Sequence, residues 1–303
     1  MIYLVFPTSW HPSQPYLSLP SLKAFLNMHG VHDVVQRDLA IELLNDLCTW
    51  EKTKPLYERI IRELNELRSR PRLTQMEAEK FNKLQEAEEI VMALKDQIDS
   101  AVASQRSPEF YEIDQYMENL KIMDVWLDNI LAPYYPSQLT VIGSQMRFSP
   151  YSSEEVIDSF NHPEENFFYD LYQQWYLPGI LEEDIDILGI SITSVEQIIS
   201  GLTLAYLVKQ NRPEIHITIG GSVFTKLVDR LEKEGSHLFN FVDSFIVHEG
   251  ETPLLRLVEH LRGDGDLTKV PNLVYRQDGV VKVNRPFAKE ELNALPTPDF
   301  DGL

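Results

Sequence analysis

Short runs of β-branched and aliphatic residues alternate with helical hydrophobic patterns near both ends of the chain. Runs that end in small or polar residues and lead into a helix are typical of a parallel sheet. The pattern predicts five strands, over 1–6, 33–38, 185–191, 215–220 and 241–247. It predicts helices after four of them, over 19–30, 196–211, 223–234 and 252–262.

The middle of the chain has a different period. Apolar residues recur every three or four positions over 56–70, 74–103 and 113–131, which predicts three helices, with the first two forming an antiparallel hairpin. Residues 137–179 are rich in aromatics and turn formers. Because a structureless loop of this length is uncommon in a compact domain, 49–179 is expected to be an all-helical insertion.

The predicted fold class is α/β, a flavodoxin-like or Rossmann-like sheet of five parallel strands with helices on both faces. Residues 1–48 and 180–266 are expected to form this domain around the insertion. Residues 267–303 are predicted to hold a β-hairpin, turned at Asp278-Gly279, and then a linker. The chain is expected to have been cut before a further domain.

Composition narrows the classes of partner. The formal charge of −20 disfavours a nucleic-acid partner, because a polyanion would be repelled. No apolar run is long enough to span a bilayer, and the amino terminus lacks the features of a signal peptide, so no membrane partner is expected. The single cysteine, Cys48, leaves no intrachain disulfide or multi-cysteine metal site, and the simplest location is cytoplasmic.

Small and polar residues follow the third, fourth and fifth predicted strands. Ligands of open parallel sheets bind at the carboxyl ends of the strands, where the chain turns into the helices. Each loop alone has a simpler explanation, since glycines permit tight turns and hydroxyl residues cap helices. Together they predict a site for a flat, phosphate-bearing ligand. The candidate cofactor-binding residues are Ser191, Thr193, Ser194, Gly220, Gly221, Ser222, Glu249, Gly250 and Glu251.

The sequence offers little for independent catalysis. It contains no evident nucleophile–base pair, carboxylate dyad or metal-ligand cluster, so no catalytic or metal-ligating residue is assigned. The segment after the first strand is Pro7-Thr8-Ser9-Trp10, where a dinucleotide enzyme would have a Gly-x-Gly-x-x-Gly loop. The chain by itself is therefore expected not to turn over a substrate.

These segments resemble the amino-terminal cobalamin-binding domain of cobalamin-dependent radical-SAM proteins. The resemblance covers roughly the first 40 and the last 120 residues. It is carried by the opening strand with its proline-rich loop and by five later segments, Gly189-Ile-Ser-Ile-Thr-Ser194, Gly220-Gly-Ser222, Glu249-Gly-Glu-Thr-Pro-Leu254, Val270-Pro-Asn-Leu-Val-Tyr275 and Leu295-Pro-Thr-Pro-Asp-Phe300. The chain departs from the family at His248, where the motif usually has glycine, and in its long insertion.

The resemblance implies a cobalamin-binding module within a larger enzyme. In the family, the small residues after the third and fourth strands surround the lower nucleotide tail of cobalamin, and the Glu249 loop lies beside them. The parent is expected to resemble a cobalamin-dependent radical-SAM methyltransferase. Its 4Fe-4S cluster and S-adenosylmethionine would bind only in the missing carboxyl-terminal radical-SAM domain, which would be the module's partner. The chain has no Asp-x-His-x-x-Gly motif to ligate cobalt, and His11 has the wrong neighbours for that role.

Two other functions are compatible with the sequence. One is a non-catalytic α/β scaffold whose helical insertion and acidic surface bind a protein partner, which retention of corrinoid would distinguish from the cobalamin module. The other is an independent enzyme of nucleotide-binding type, which the missing glycine-rich loop disfavours.

Overall fold

The structure is a computed structural model, which describes residues 1–10, 15–263 and 265–303. The strands of these residues, in chain order, are β1 (Ile2–Phe6), β2 (Val34–Asp38), β3 (Gln138–Leu139), β4 (Ser144–Gln145), β5 (Ile187–Ser191), β6 (His216–Gly220), β7 (Ser244–Ile246), β8 (Leu273–Gln277) and β9 (Val280–Val283). Seven of them form one sheet in the order β2-β1-β5-β6-β7-β8-β9. The first five in this order are mutually parallel. Strand β8 is antiparallel to β7, and β9 is antiparallel to β8.

The α-helices of the described residues are α1 (Ser18–Met28), α2 (Leu39–Leu47), α3 (Trp50–Ser69), α4 (Gln75–Ser104), α5 (Ile113–Ile130), α6 (Ser153–Ser159), α7 (Phe167–Leu171), α8 (Leu177–Glu182), α9 (Gln197–Asn211), α10 (Ser222–Lys226), α11 (Val228–Glu234) and α12 (Glu251–Leu261). A turn of π-helix, Tyr172–Tyr176, joins α7 to α8, and a 3₁₀ turn, Pro108–Tyr111, joins α4 to α5. Among the described residues, no helix has both the length and the apolar composition that crossing a membrane requires.

The side chains of the sheet alternate between two apolar layers. Ile2, Leu4 and Phe6 of β1 pack with α1 and α12, whereas Tyr3 and Val5 belong to the layer that contains α9 and the insertion. This period of two is what a strand buried on both faces produces. The protein is therefore an α/β structure with a mostly parallel sheet and helices on both faces.

The strand count corrects the prediction of a five-stranded sheet. The hairpin β8–β9, turned at Asp278 and Gly279, pairs through β8 with β7 and so extends the same sheet to seven strands. Without this hairpin, the short strand β7 would leave its backbone unpaired at an edge. Residues Leu273, Val274 and Tyr275 are buried at that junction.

The insertion is mainly helical but not entirely so. The helices α3, α4 and α5 pack against one another as a three-helix unit, where the sequence pattern indicates a hairpin of two. The ribbon β3–β4 corrects the expectation of an all-helical segment. Trp126 of α5 is fully buried and donates from Nε1 to the Leu47 carbonyl oxygen at 2.7 Å, and one continuous apolar core joins the insertion to the sheet.

A capping residue fixes the start of α2. Asp38, at the end of β2, accepts from the backbone N–H of Ala40 at 3.0 Å and so caps α2. Burial raises the pKa of the Asp38 carboxyl to about 6, against the lowering effect of the backbone donors. The predicted helix 223–234 is interrupted at Leu227, which divides it into α10 and α11.

The terminal segment lies against the sheet rather than away from it. The backbone N–H of Asp299 donates to the Pro20 carbonyl oxygen at 3.0 Å, and Lys23 Nζ donates to the Asp301 carbonyl oxygen at 2.6 Å. Gln36 of β2 is buried and donates from Nε2 to the Asp299 carbonyl oxygen at 2.9 Å. These contacts fix residues 299–301 to α1 and β2.

Candidate functional site

A cavity of about 390 Å³ lies at the carboxyl ends of β5, β6 and β7, bounded by the beginnings of α1 and α12. This is the edge of a parallel sheet at which ligands bind. The predicted site residues that line the cavity are Ser191, Thr193, Gly220, Gly221, Ser222, Glu249, Gly250 and Glu251. Ser194 does not line it. The three loops therefore converge on one concave surface.

The floor of the cavity is a row of three residues on neighbouring strands. Leu4, Gly189 and Thr218 are paired across β1, β5 and β6 on the face that carries α1 and α12. A Cβ at Gly189 would lie 2.8 Å from Leu4 Cδ2, so a side chain here would displace the leucine. The absence of a side chain at Gly189 gives the cavity its depth.

The two glycines after β6 have different roles. Gly221 has φ +113°, a left-handed conformation, and a Cβ there would overlap the Ile192 carbonyl oxygen. A Cβ at Gly220 would meet only the Ile246 carbonyl oxygen, at 3.8 Å. Gly221 is thus needed for the close approach of two loops, whereas Gly220 leaves space open toward the cavity.

Hydroxyl groups connect the loops across the cavity wall. Ser191 Oγ donates to Ser18 Oγ at 2.9 Å, which ties the end of β5 to the beginning of α1. Ser222 Oγ donates to the Thr193 carbonyl oxygen at 2.9 Å. Since α10 is only five residues long, its N-terminus is a weaker anion site than the long helix that the sequence predicts. Ser18 was missed by the sequence analysis because its partner lies 173 residues away.

Gln197 is a positioning residue that the sequence analysis also missed. Its side chain is fully buried, and its Oε1 accepts from the backbone N–H groups of Thr193 at 2.9 Å and Ser194 at 3.2 Å. Its Nε2 donates to the Pro7 carbonyl oxygen at 2.9 Å. The residue therefore holds the loop after β5 against the loop after β1. A hydroxyl residue followed three or four positions later by Gln is a capping pattern that would have identified it.

The third loop carries carboxylates that are engaged with backbone donors. The Glu249 carboxylate accepts from the Glu290 N–H, and Glu290 Oε1 accepts from the Thr252 N–H at 2.9 Å at the start of α12. Burial raises the pKa of the Glu251 carboxyl, and a hydrogen bond from its own backbone N–H opposes this rise. The negative charges of Glu290 and Glu249 raise the pKa further. These groups hold α12 and the segment near residue 290 in place.

His248 occupies the position where the sequence departs from the resemblance. It has φ +63°, in the left-handed region that favours glycine, and its ring packs on Phe287 with centroids 4.3 Å apart. Its backbone N–H donates to Thr225 Oγ1 at 2.7 Å. His248 is among the residues that line the cavity, and its ring is held against Phe287.

The lining is mostly apolar and lacks positive charge. Among the described residues that border the cavity there is no Lys or Arg. Tyr16, Leu19 and Leu22 line it from α1 and the residues before it, and Ile246 and Leu254 line it from β7 and α12. The arrangement suits a flat apolar group more than a highly charged one.

Other candidate ligands lie elsewhere or outside the described residues. His11 falls outside them. Cys48 is fully buried in the apolar core, where burial raises the pKa of its thiol. His162, Glu164 and Glu165 have ligand atoms within 4.8 Å of one another, but Glu165 is paired with Arg147 and the group lies in the insertion.

No protein-family model, curated protein or solved structure matches this chain at a significant level.

Proposed function

We propose that this chain is the cobalamin-binding module of a cobalamin-dependent radical-SAM enzyme. The observation that carries the proposal is the convergence of the three strand-end loops on one cavity at the carboxyl edge. The order of the parallel strands, β2-β1-β5-β6-β7, is that of the flavodoxin-like doubly wound sheet, in which ligands bind at this edge. A non-catalytic scaffold has no need of such a cavity.

The cavity suits the nucleotide tail of cobalamin. Its volume of about 390 Å³ falls within the range of small-ligand sites, and its apolar floor offers a surface for a planar base. Gly189 and Gly220 supply the necessary space, because neither carries a side chain into it. The corrin macrocycle with its amide side chains is far too large for this space, so only the tail would be enclosed.

Charge distinguishes cobalamin from the common nucleotides. A nucleoside diphosphate or triphosphate carries several negative charges, which proteins usually meet with Lys, Arg or a metal ion. The described lining has no such cation, and Glu249 and Glu251 stand beside it. The tail of cobalamin carries only one phosphodiester charge, so its binding depends less on a paired cation.

The roles of the chain's own residues are binding and positioning. Ser191, Ser222 and Thr225 line the cavity, and their hydroxyl groups donate to Ser18, Thr193 and Gly221, which holds the loops together around the tail. Gln197 keeps the loop after β5 in place. Cobalamin, when bound, would supply the methyl-carrier chemistry of the parent enzyme. The 4Fe-4S cluster, S-adenosylmethionine and the radical-SAM domain belong to the proposed parent, and a cytoplasmic location is part of the same proposal.

The test is a comparison of ligand classes on the purified chain. Titrations with hydroxocobalamin and with ATP are followed by absorbance and by equilibrium dialysis, respectively. The proposal predicts saturable binding of hydroxocobalamin and none of ATP at the same concentrations. Binding of ATP alone would favour an enzyme of nucleotide-binding type, and binding of neither would favour the scaffold with a protein-binding insertion.

A further inference from the structure

Thr218 differs from the other hydroxyl residues that line the strand-end cavity. It lies at the cavity floor on β6, opposite Gly189 of β5, and only 3% of the residue is exposed. Polar side chains that are buried this deeply are usually hydrogen-bonded, because an unpaired group loses its contacts with water. The partners of Thr218 therefore show which polar group at the floor is left for a ligand.

The acceptor side of the Thr218 hydroxyl group is already used. Ser244, on the neighbouring strand β7, is fully buried and donates from Oγ to Thr218 Oγ1 at 3.0 Å. Because a serine hydroxyl has a single hydrogen, Ser244 Oγ accepts from His216 Nε2, which lies 2.9 Å away. The hydrogen bonds of these three side chains thus run in one direction, from His216 to Thr218.

The hydrogen of the Thr218 hydroxyl group has no acceptor among the described residues. A threonine hydroxyl both donates and accepts, and Thr218 only accepts. The hydroxyl groups of Ser191, Ser222 and Thr225, by contrast, donate to other groups of the protein. Ser18 also accepts without donating, but it is only partly buried, so water can serve as its acceptor. Thr218 is therefore a buried donor that the cavity floor offers to a ligand.

The surroundings of Thr218 restrict the chemistry of the acceptor. Leu4 and Gly189 make the rest of the floor apolar, and the described lining contains no cation for an anionic acceptor. A ring nitrogen of an aromatic base is a neutral acceptor that belongs to a flat apolar group. Such a nitrogen would pair with the hydroxyl hydrogen while the ring covers the floor.

We infer that Thr218 is a specificity-determining residue, which donates a hydrogen bond to a ring nitrogen of an aromatic base in the cavity. The inference rests on the proposed function, in which this base is the dimethylbenzimidazole of the cobalamin tail. A base without an acceptor nitrogen would leave the buried donor unpaired, so it would bind more weakly.

Two free bases of matched shape test the inference on the full chain. 5,6-Dimethylbenzimidazole has a ring nitrogen that accepts a hydrogen bond, and 5,6-dimethylindole has a C–H group in its place. Binding is measured by ligand-observed NMR at alkaline pH, where the first base is neutral. The wild type binds 5,6-dimethylbenzimidazole at least about fivefold more tightly, as expected for one neutral hydrogen bond. Equal binding of the two bases, or no binding of either, overturns the inference.

Substitutions at Thr218 test which residue makes the contact. Thr218→Val removes the hydroxyl group and abolishes the preference between the two bases, whereas Thr218→Ser keeps both. Because Thr218→Val leaves the Ser244 hydroxyl without its acceptor, the double variant Thr218→Val/Ser244→Ala is measured as well and also lacks the preference. A preference that survives in both valine variants would assign the hydrogen bond to another donor.

Thr203→Val is the control for the loss of a buried hydroxyl group. Thr203 is also fully buried, and it accepts from Asn166 Nδ2 at 3.1 Å, but it belongs to α9 and does not line the cavity. Its replacement leaves the preference at the wild-type value. Loss of the preference in Thr203→Val as well would show that the effect of Thr218→Val is a general consequence of altered packing.

Retention of cobalamin by the wild type separates this inference from the proposed function. A wild type that retains no cobalamin but prefers 5,6-dimethylbenzimidazole contradicts the cobalamin proposal and supports the role of Thr218. A wild type that retains cobalamin but binds the two free bases equally contradicts the role of Thr218 alone.

Discussion

Gly221 lies directly against the backbone of Ile192, so that a Cβ at residue 221 would be 2.6 Å from the Ile192 carbonyl carbon and would overlap its oxygen. The contact joins the loops after β5 and β6 at the edge of the cavity. Because the φ of Gly221 is also +113°, both conformation and space require glycine at this position.

Gly221→Ala is therefore expected to lower the free energy of unfolding by about 3 kcal/mol or more, from backbone strain together with the steric overlap. Gly220→Ala is the matched control, since its Cβ has an ordinary 3.8 Å contact, and it should cost less than about 1 kcal/mol. Urea unfolding of the two variants measures the difference. Equal destabilisation would show that the two loops do not approach as described.

Gln197→Leu tests the residue that connects the loops after β1 and β5. The substitution keeps the size of the side chain but leaves the Thr193 and Ser194 N–H groups and the Pro7 carbonyl without a partner. We expect a loss of about 2–4 kcal/mol in the free energy of unfolding. Hydroxocobalamin binding should weaken as well, because Thr193 lines the cavity.

Gln210→Leu is the control for this prediction. Gln210 is exposed on the same helix, α9, and its replacement should change the free energy of unfolding by less than about 0.5 kcal/mol. If Gln197→Leu behaves like Gln210→Leu, then the buried amide does not position the loop.

His216 provides a test of pH dependence beneath the cavity. Burial lowers the pKa of His216 to about 4 from 6.5, with Asp243 acting in the opposite direction. Its Nε2 lies 2.9 Å from Ser244 Oγ, which donates to Thr218 Oγ1 at the cavity floor. Between pH 6.5 and 4 the unfolded chain binds a proton at this residue and the folded chain does not, so stability falls as the pH falls.

The difference between the pKa of His216 in the unfolded chain and in the folded protein corresponds to at most about 3 kcal/mol in the free energy of unfolding. Asp38 acts in the reverse sense, because its raised pKa of about 6 makes the folded state bind a proton first, and its contribution to stability rises as the pH falls from 6 to 3.8. Because Asp38 is present in both proteins, comparing the wild type with His216→Gln cancels its contribution.

The His216→Gln variant should lose less stability than the wild type between pH 6.5 and 4, as measured by urea unfolding. The variant His237→Gln, at an exposed position, should follow the wild type. Parallel curves for all three proteins would contradict the prediction.

The sequence pattern identifies the local elements more reliably than their partners. The parallel strands are predicted because each is a short apolar run that ends in small residues, and these runs are local. The pairing of β8 with β7 joins segments that are distant in the sequence. Nothing in the residues 271–284 specifies which edge of the sheet the hairpin pairs with. The same limit applies to Ser18, which reaches the site only because α1 folds over the end of β5.

Within the site, the residue types were predictable and their individual roles were not. Gly220 and Gly221 form one motif in the sequence, yet only Gly221 has a left-handed backbone and a close neighbour. Ser194 and Thr193 are adjacent, yet only Thr193 lines the cavity. Such distinctions depend on the direction in which a side chain points, which the order of residues alone does not specify.

The most direct test of the central claim compares cobalamin with cobinamide, which has the corrin macrocycle but lacks the nucleotide tail. Absorption spectra after incubation and desalting measure how much corrinoid stays with the wild type, Gly220→Leu and Gly179→Leu. The last variant is the control, because Gly179 is exposed on α8 and has open space around it. We predict that the wild type and Gly179→Leu retain cobalamin at least about tenfold better than cobinamide, and that Gly220→Leu loses this preference. Equal retention of the two corrinoids by the wild type, or an undiminished preference in Gly220→Leu, would show that the cavity does not hold the nucleotide tail.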